Sequence, residues 1–215
     1  MKMFKFMMAI AALLTATACN GKASPDPSKG RGDSEEQSVT KLPLSSEGAG
    51  GRLLVVYFSH AGDNYSVGNT KIVADYISAF TGADQFEIKT SKYDGMAYTP
   101  LTELAKKEQQ NGELPPFEGS VDVSKYDVIF IGGPVWWGTY PQVIFTFFKK
   151  YDLNGKTIIP FTTHEGSGLG SCVKDVKKAY PKANVEQGFS IYGHDVRTGK
   201  ERVEKWLKKL GYQGK

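Results

Sequence analysis

From Arg52 onward, short and nearly continuous apolar runs alternate with stretches whose apolar residues recur every three to four positions. Residues 53–58, 128–131 and 157–161 are the strongest runs, and they read as parallel strands covered by helices on both faces. Residues 86–89 and 185–191 read as weaker, more peripheral strands. Between them, Ile72, Val73, Tyr76, Ile77 and Phe80 make one helical stripe. Val143, Ile144, Phe147 and Phe148 make a second, and Val203, Trp206, Leu207 and Leu210 a third. Shorter helices are expected over 100–109 and 170–180. Five strands alternating with five helices predict an α/β fold, a three-layer α/β/α sandwich, because right-handed crossovers leave few other topologies. Pro160 is discordant: proline donates no ladder hydrogen bond, so a bulge or strand end is expected there.

The first fifty residues follow a different pattern. Lys2 and Lys5 precede an apolar run over 6–14, and the small residues Thr15 to Ala18 lead into Cys19. This predicts a secretory signal over 1–18, since the run falls short of the ~20 residues that cross a bilayer. Ala16-Thr17-Ala18-Cys19 resembles a bacterial lipobox, with alanine in place of the usual leucine, which implies lipidation of Cys19. The alternative is a plain leader with an incidental cysteine. Residues 19–51 hold few large apolar side chains beyond Val39, Leu42 and Leu44, too few to offset the entropy of ordering, and read as a flexible tether. The expectation is an exported cell-envelope lipoprotein, held to a membrane at Cys19, whose folded domain spans 52–215.

Composition narrows the chemistry. The 215 residues are 40% hydrophobic and 23% charged, a globular balance that excludes a disordered tail protein and a polytopic membrane protein. Cys19 and Cys172 are the two cysteines, so there is no disulfide framework and no CxxC pair, and three histidines give little support for a metal centre. A net charge of +4 is too mild to point to nucleic acid.

In an open parallel sheet, ligands bind beyond the carboxyl ends of the strands, so the loops after the apolar runs carry the candidate chemistry. After the first strand, Ser59 and His60 lead through Gly62-Asp63-Asn64 to Gly68, Asn69 and Thr70 and the first helix. Small and hydroxyl residues at a helix N-terminus suit a phosphate. The Walker sequence and GxGxxG are both absent, so a single phosphate without magnesium is expected. After the third strand come Gly133-Pro134-Val135-Trp136-Trp137-Gly138. Tryptophans between glycines suit a flat aromatic ligand, and because adjacent side chains diverge, Trp137 is preferred as the ligand-facing one. After the fourth strand, Thr163-His164-Glu165-Gly166-Ser167-Gly168 again offers hydroxyls and exposed amides.

Taken in order, Val56-Tyr57-Phe58-Ser59 with Gly68-Asn69-Thr70, then Gly133 to Gly138, then Thr163 to Gly168, resemble the flavodoxin-like proteins that bind flavin mononucleotide (FMN), in particular short bacterial flavodoxins of lipoprotein type. The resemblance implies a five-stranded parallel sheet of order 2-1-3-4-5 with the flavin held at its switch point. It implies phosphate binding by Ser59, Asn69 and Thr70, with His60 and Gly68 in the same turn. Pro134, Val135, Trp136, Trp137 and Gly138 would flank the ring, and Thr163, His164, Gly166 and Gly168 would close its other side. The implied activity is electron transfer, with a redox partner protein or a quinone. A non-redox binding module on the same scaffold and an FMN-dependent NAD(P)H:quinone-type oxidoreductase are the alternatives.

The chain departs from that pattern in three ways. Six extra residues separate Ser59-His60 from Gly68, so Gly62-Asp63-Asn64 competes for the phosphate role. The third loop has no tyrosine, and from Arg52 onward 21 basic and 18 acidic residues leave a slightly basic domain where many flavodoxins are acidic. Cys172 is expected to be a buried packing residue, and Ser167 lacks the GxSxG context of a hydrolase elbow. His194 has no evident role.

Overall fold

The computed structural model describes residues 51–62 and 66–215. The expected leader over 1–18, Cys19 with its lipid, the tether as far as residue 50, and Asp63 and Asn64 of the first loop lie outside the described residues.

The apolar runs become β1 (Leu53–Tyr57), β2 (Asp84–Glu87), β3 (Val128–Pro134), β4 (Thr157–His164), β5 (Asn184–Val185) and β6 (Phe189–Tyr192). The amphipathic stretches become α1 (Asn69–Thr81), α2 (Tyr98–Asn111), α3 (Gln142–Lys150), α4 (Cys172–Ala179) and α5 (Lys200–Lys209). Every strand pair is parallel, in the order β2-β1-β3-β4-β5, and β6 pairs with β4. This is the 2-1-3-4-5 flavodoxin-like sheet.

Side chains alternate between the faces of a strand, and the core divides accordingly. Leu54, Val56, Ile129 and Ile131 pack with Val143 and Phe147 of α3 and Val176 of α4. Val55, Phe130, Ile159 and Phe161 pack on the other face with Val73 and Ile77 of α1 and Val203 and Leu207 of α5. Each fully buried side chain of this size contributes roughly 1.5–3 kcal/mol relative to exposure. Cys172 is fully buried in the first of these layers, and burial pushes its thiol up to about 12, as befits a packing residue.

Two expectations need correction. Pro160 stands neither at a bulge nor at a strand end, but inside β4, opposite Ile131 of β3. The interruption falls in the neighbour instead: the single strand expected over 185–191 is split into β5 and β6, and 186–188 between them belong to neither strand. Thr157 N donates to Asp127 O on the β3 side, whereas Glu186 N donates to Ile158 O on the other. Even-numbered positions of β4 therefore face the fifth strand position, and the donor that proline lacks would point at the gap. The second correction is one of register. β2 runs over Asp84–Glu87 rather than 86–89, and Ile88 N extends the ladder by donating to Tyr57 O. Among the described residues, no helix is long and apolar enough to cross a membrane.

Candidate functional site

The first loop returns tightly onto its own start. Ser59 Oγ accepts the Lys71 N–H at 3.0 Å, which satisfies one of the orphan donors of the first turn of α1. Gly68 is the N-cap of that helix and offers no side-chain cap. A Cβ placed on Gly68 would meet Ser59 Oγ and lie 2.6 Å from His60 O, so only glycine lets the two ends of the loop come this close. One residue into α1, the buried Thr70 hydroxyl bonds that of Thr163, at the end of β4, over 2.8 Å. The first and third loops are thereby joined by a polar contact shielded from water. Asn69 lies against Gly193, where an added Cβ would come within 2.5 Å of its Nδ2.

The second loop is a two-residue reversal. Trp136 N donates to Thr139 O at 2.8 Å and Thr139 N returns to Trp136 O at 3.2 Å, with Trp137 and Gly138 at the tip, φ +51° and +85°. Positive φ at both central residues is the requirement of a type I′ turn. Trp137 is the one non-glycine residue at positive φ among the described residues, a conformation that costs of order 1–3 kcal/mol and persists only where the surroundings enforce it. Here α2 does so: Trp137 Nε1 donates to Thr102 O at 2.8 Å, Gln109 Nε2 donates to Trp137 O at 3.3 Å, and Lys106 Nζ stands 4.8 Å from the ring centroid. From the opposite side, Ser171 N donates to Gly138 O at 2.8 Å. Trp137 remains 49% exposed. Trp136 turns toward the core, edge-on to Tyr93 at 5.3 Å and Phe58 at 5.6 Å, so the two indoles diverge.

The third loop is held by the second loop and by its own side chains. Val135 N donates to Thr163 O at 2.9 Å, Thr162 Oγ1 donates to Gly168 O at 2.9 Å, and the Gly166 N–H donates to His164 Nδ1 at 2.9 Å. The His164 ring, 9% exposed, lies 4.5 Å from that of Tyr192 on β6. Burial pulls its pKa below the ordinary histidine range, opposed by the Glu165 carboxylate. Glu165 is exposed at the rim and paired with His194 Nδ1 at 3.2 Å.

These loops enclose one cleft of about 400 Å³ beyond the carboxyl ends of the strands. His60, Asn69 and Thr70 line it from the first loop, Pro134, Val135, Trp136 and Trp137 from the second, and Thr163 and His164 from the third. Ser59, Gly68, Gly138, Gly166 and Gly168 are absent from the lining. Ser59 and Gly68 shape the first turn from behind, and Gly138 occupies the tip beside Trp137. Gly166 and Gly168, both at positive φ, let the third loop reverse in open space. The wall also contains Glu165, Gly193 and, from α2, Tyr98 and Thr102, none of which the loop motifs single out as ligand-facing. Gly193 follows the last strand and is within reach of the strand-end rule. Tyr98 and Thr102 share one helical face four residues apart, but no sequence signal relates that face to the sheet. Among the described residues, no lysine or arginine lines the cleft, so an anion there would be met by amides and hydroxyls.

No curated protein matches the chain. The flavodoxin family pattern matches residues 52–210. Among solved structures, a candidate flavoprotein from Bacteroides eggerthii is 28% identical with a TM-score of 0.61, covering 76% of this chain and 99% of that one. One from Bacteroides uniformis is 27% identical with a TM-score of 0.58, covering 74% and 99%. A Lactobacillus acidophilus flavoprotein in complex with FMN shares the fold at 22% identity and a TM-score of 0.54, covering 69% and 97%.

Proposed function

We propose that this chain, which belongs to the flavodoxin family, binds FMN non-covalently in the three-loop cleft and carries electrons. The observation behind the reading is the convergence, in one cleft of about 400 Å³, of the α1 N-terminus, the Trp136-Trp137 turn and the end of β4. The donor set fits a flavin monophosphate. The start of α1, with Asn69 and the Thr70 hydroxyl on the cleft wall, suits a phosphate without a lysine, and the close packing of Gly68 on Ser59 and His60 from behind holds that turn in place. The exposed indole of Trp137 offers an aromatic face to the ring. When bound, FMN supplies reversible redox chemistry. The chain's residues hold the phosphate, orient the ring and exclude water from part of it. The Lactobacillus acidophilus relative in complex with FMN supports the choice of cofactor.

Titrating the purified chain into FMN tests this: flavin fluorescence is expected to fall and the protein to turn yellow and bleach on reduction. Unchanged fluorescence at saturating protein overturns it. Tyr98, 75% exposed and lining the cleft beside Thr102, favours a second reading in which a planar quinone stacks at the mouth and the chain oxidises NAD(P)H. Steady consumption of NADH with an added quinone would separate that from simple electron carriage. The leader-like pattern over 1–18 and the lipobox-like sequence ending at Cys19 support a reading of export and a lipid anchor in the cell envelope, and electron carriage implies a protein or quinone as redox partner. Cys19→Ala is expected to move the protein from the membrane fraction to the soluble one.

A further inference from the structure

The backbone gives the two ring nitrogens of His164 different tasks. A peptide N–H is always a donor, so the Gly166 N–H at 2.9 Å from Nδ1 requires that nitrogen to be an unprotonated acceptor. The proton of the neutral ring then resides on Nε2. The ring packs 4.5 Å from that of Tyr192, it is nearly buried, and the residue lines the cleft. None of the hydrogen bonds among the described residues uses Nε2. The charged groups around it come from three elements: Glu165 in the loop that follows it, His194 after β6, and Arg202 on α5. Glu165 is turned toward His194, its Oε2 3.2 Å from His194 Nδ1 at the rim.

We infer that His164 is a tautomer-locked donor to the cofactor, its Nε2–H hydrogen-bonding the bound ring system and favouring the state in which that ring carries added negative charge. The inference rests on the FMN reading above and extends it to control of potential. FMN reduced by two electrons from an external chemical reductant and one proton from solvent would be one charge more negative than oxidised FMN, and a fixed donor would stabilise it where a mobile water would first have to reorient. Glu165 opposes the effect from the rim by like-charge repulsion, so the pair sets the potential between them.

Two measurements test this. In the chain without added cofactor, 15N–1H correlation of the imidazoles is expected to show His164 as the Nε2–H tautomer near neutral pH, and FMN is expected to shift its Nε2 signal more than its Nδ1. Binding of oxidised and reduced FMN is then compared for the wild type, His164→Phe and His164→Gln. Phenylalanine keeps the ring against Tyr192 but has no donor, and is expected to weaken reduced FMN relative to oxidised by roughly tenfold, the scale of one hydrogen bond to a charged group. For a two-electron couple, tenfold corresponds to a midpoint lower by about 30 mV. Glutamine restores a donor and is expected to recover most of the loss, which a purely structural role would not allow. An Nδ1–H tautomer, or an unchanged ratio in a folded His164→Phe protein that still binds FMN, overturns the inference. Failure of the wild type to bind FMN removes the cofactor reading itself, a distinct result.

Discussion

At the α1 end of the cleft, Thr70 is 1% and Thr163 4% exposed, and their hydroxyls bond each other over 2.8 Å. At the other end, Trp137 stands half in solvent at a positive φ, and its turn is restrained from α2 and the start of α4 by bonds to Thr102, Gln109 and Ser171. The polar end is built before a ligand arrives: its chain path is fixed by close contact, and the Thr70–Thr163 pair shares one hydrogen and leaves the other hydroxyl hydrogen for a ligand. The aromatic end is open, because about half of its indole surface faces solvent. On the FMN reading, selectivity for the phosphate would belong to the first end, and much of the gain on binding to the second.

The sharpest way to break this contrast is Gly68→Ala. Its methyl would enter space held by Ser59 Oγ and His60 O, and is expected to cost about 1–3 kcal/mol of stability by overpacking, with a large loss of FMN affinity, read by denaturant titration and fluorescence. Thr70→Val keeps the shape but strands Thr163 without its partner, and is expected to cost about 1–3 kcal/mol in phosphate binding. Unaltered affinity in that variant would move the phosphate elsewhere in the cleft. Trp137→Gly should act at the other end only. Relief of the positive φ offsets the lost bond to Thr102, so the melting midpoint is expected to change little, while FMN affinity falls by about 0.5–1.5 kcal/mol beyond the lost contact area.

The smallest expected effect is a pH slope from the third loop. His164 titrates lower in the folded chain than in the unfolded one, so the unfolded state takes up its proton first as pH falls. Its contribution is present in full above the ordinary histidine pKa of about 6.5 and is lost as pH drops through the folded value, with a slope below about 1.4 kcal/mol per pH unit. His164→Gln is expected to remove that slope from a plot of unfolding free energy against pH.

The central strands are legible in the sequence because β1, β3 and β4 are covered on both faces, and burial on both sides leaves an uninterrupted apolar run. The three loops are legible because a parallel sheet directs every strand's carboxyl end to the same rim. Pro160 misleads because the rule concerns a missing donor, and which neighbour that donor would face is decided by the register of β4 rather than by nearby sequence. The conformation of Trp137 is equally hidden, because a bulky residue at positive φ goes against local preference and is imposed by α2. The same helix supplies Tyr98, and how its face meets the rim is a matter of tertiary packing.

The gap beside Pro160 bears on how such chains behave when crowded. An unbroken outer strand is a template for a second chain, and natural sheets blunt it by shortness, proline or cover. Here one border is two short pieces, of two and four residues, and the other is a four-residue strand beyond which Glu118 N donates to Lys89 O. Neither border presents a long row of open donors and acceptors, so copies gathered at high local density lack a surface on which to zip together edge to edge.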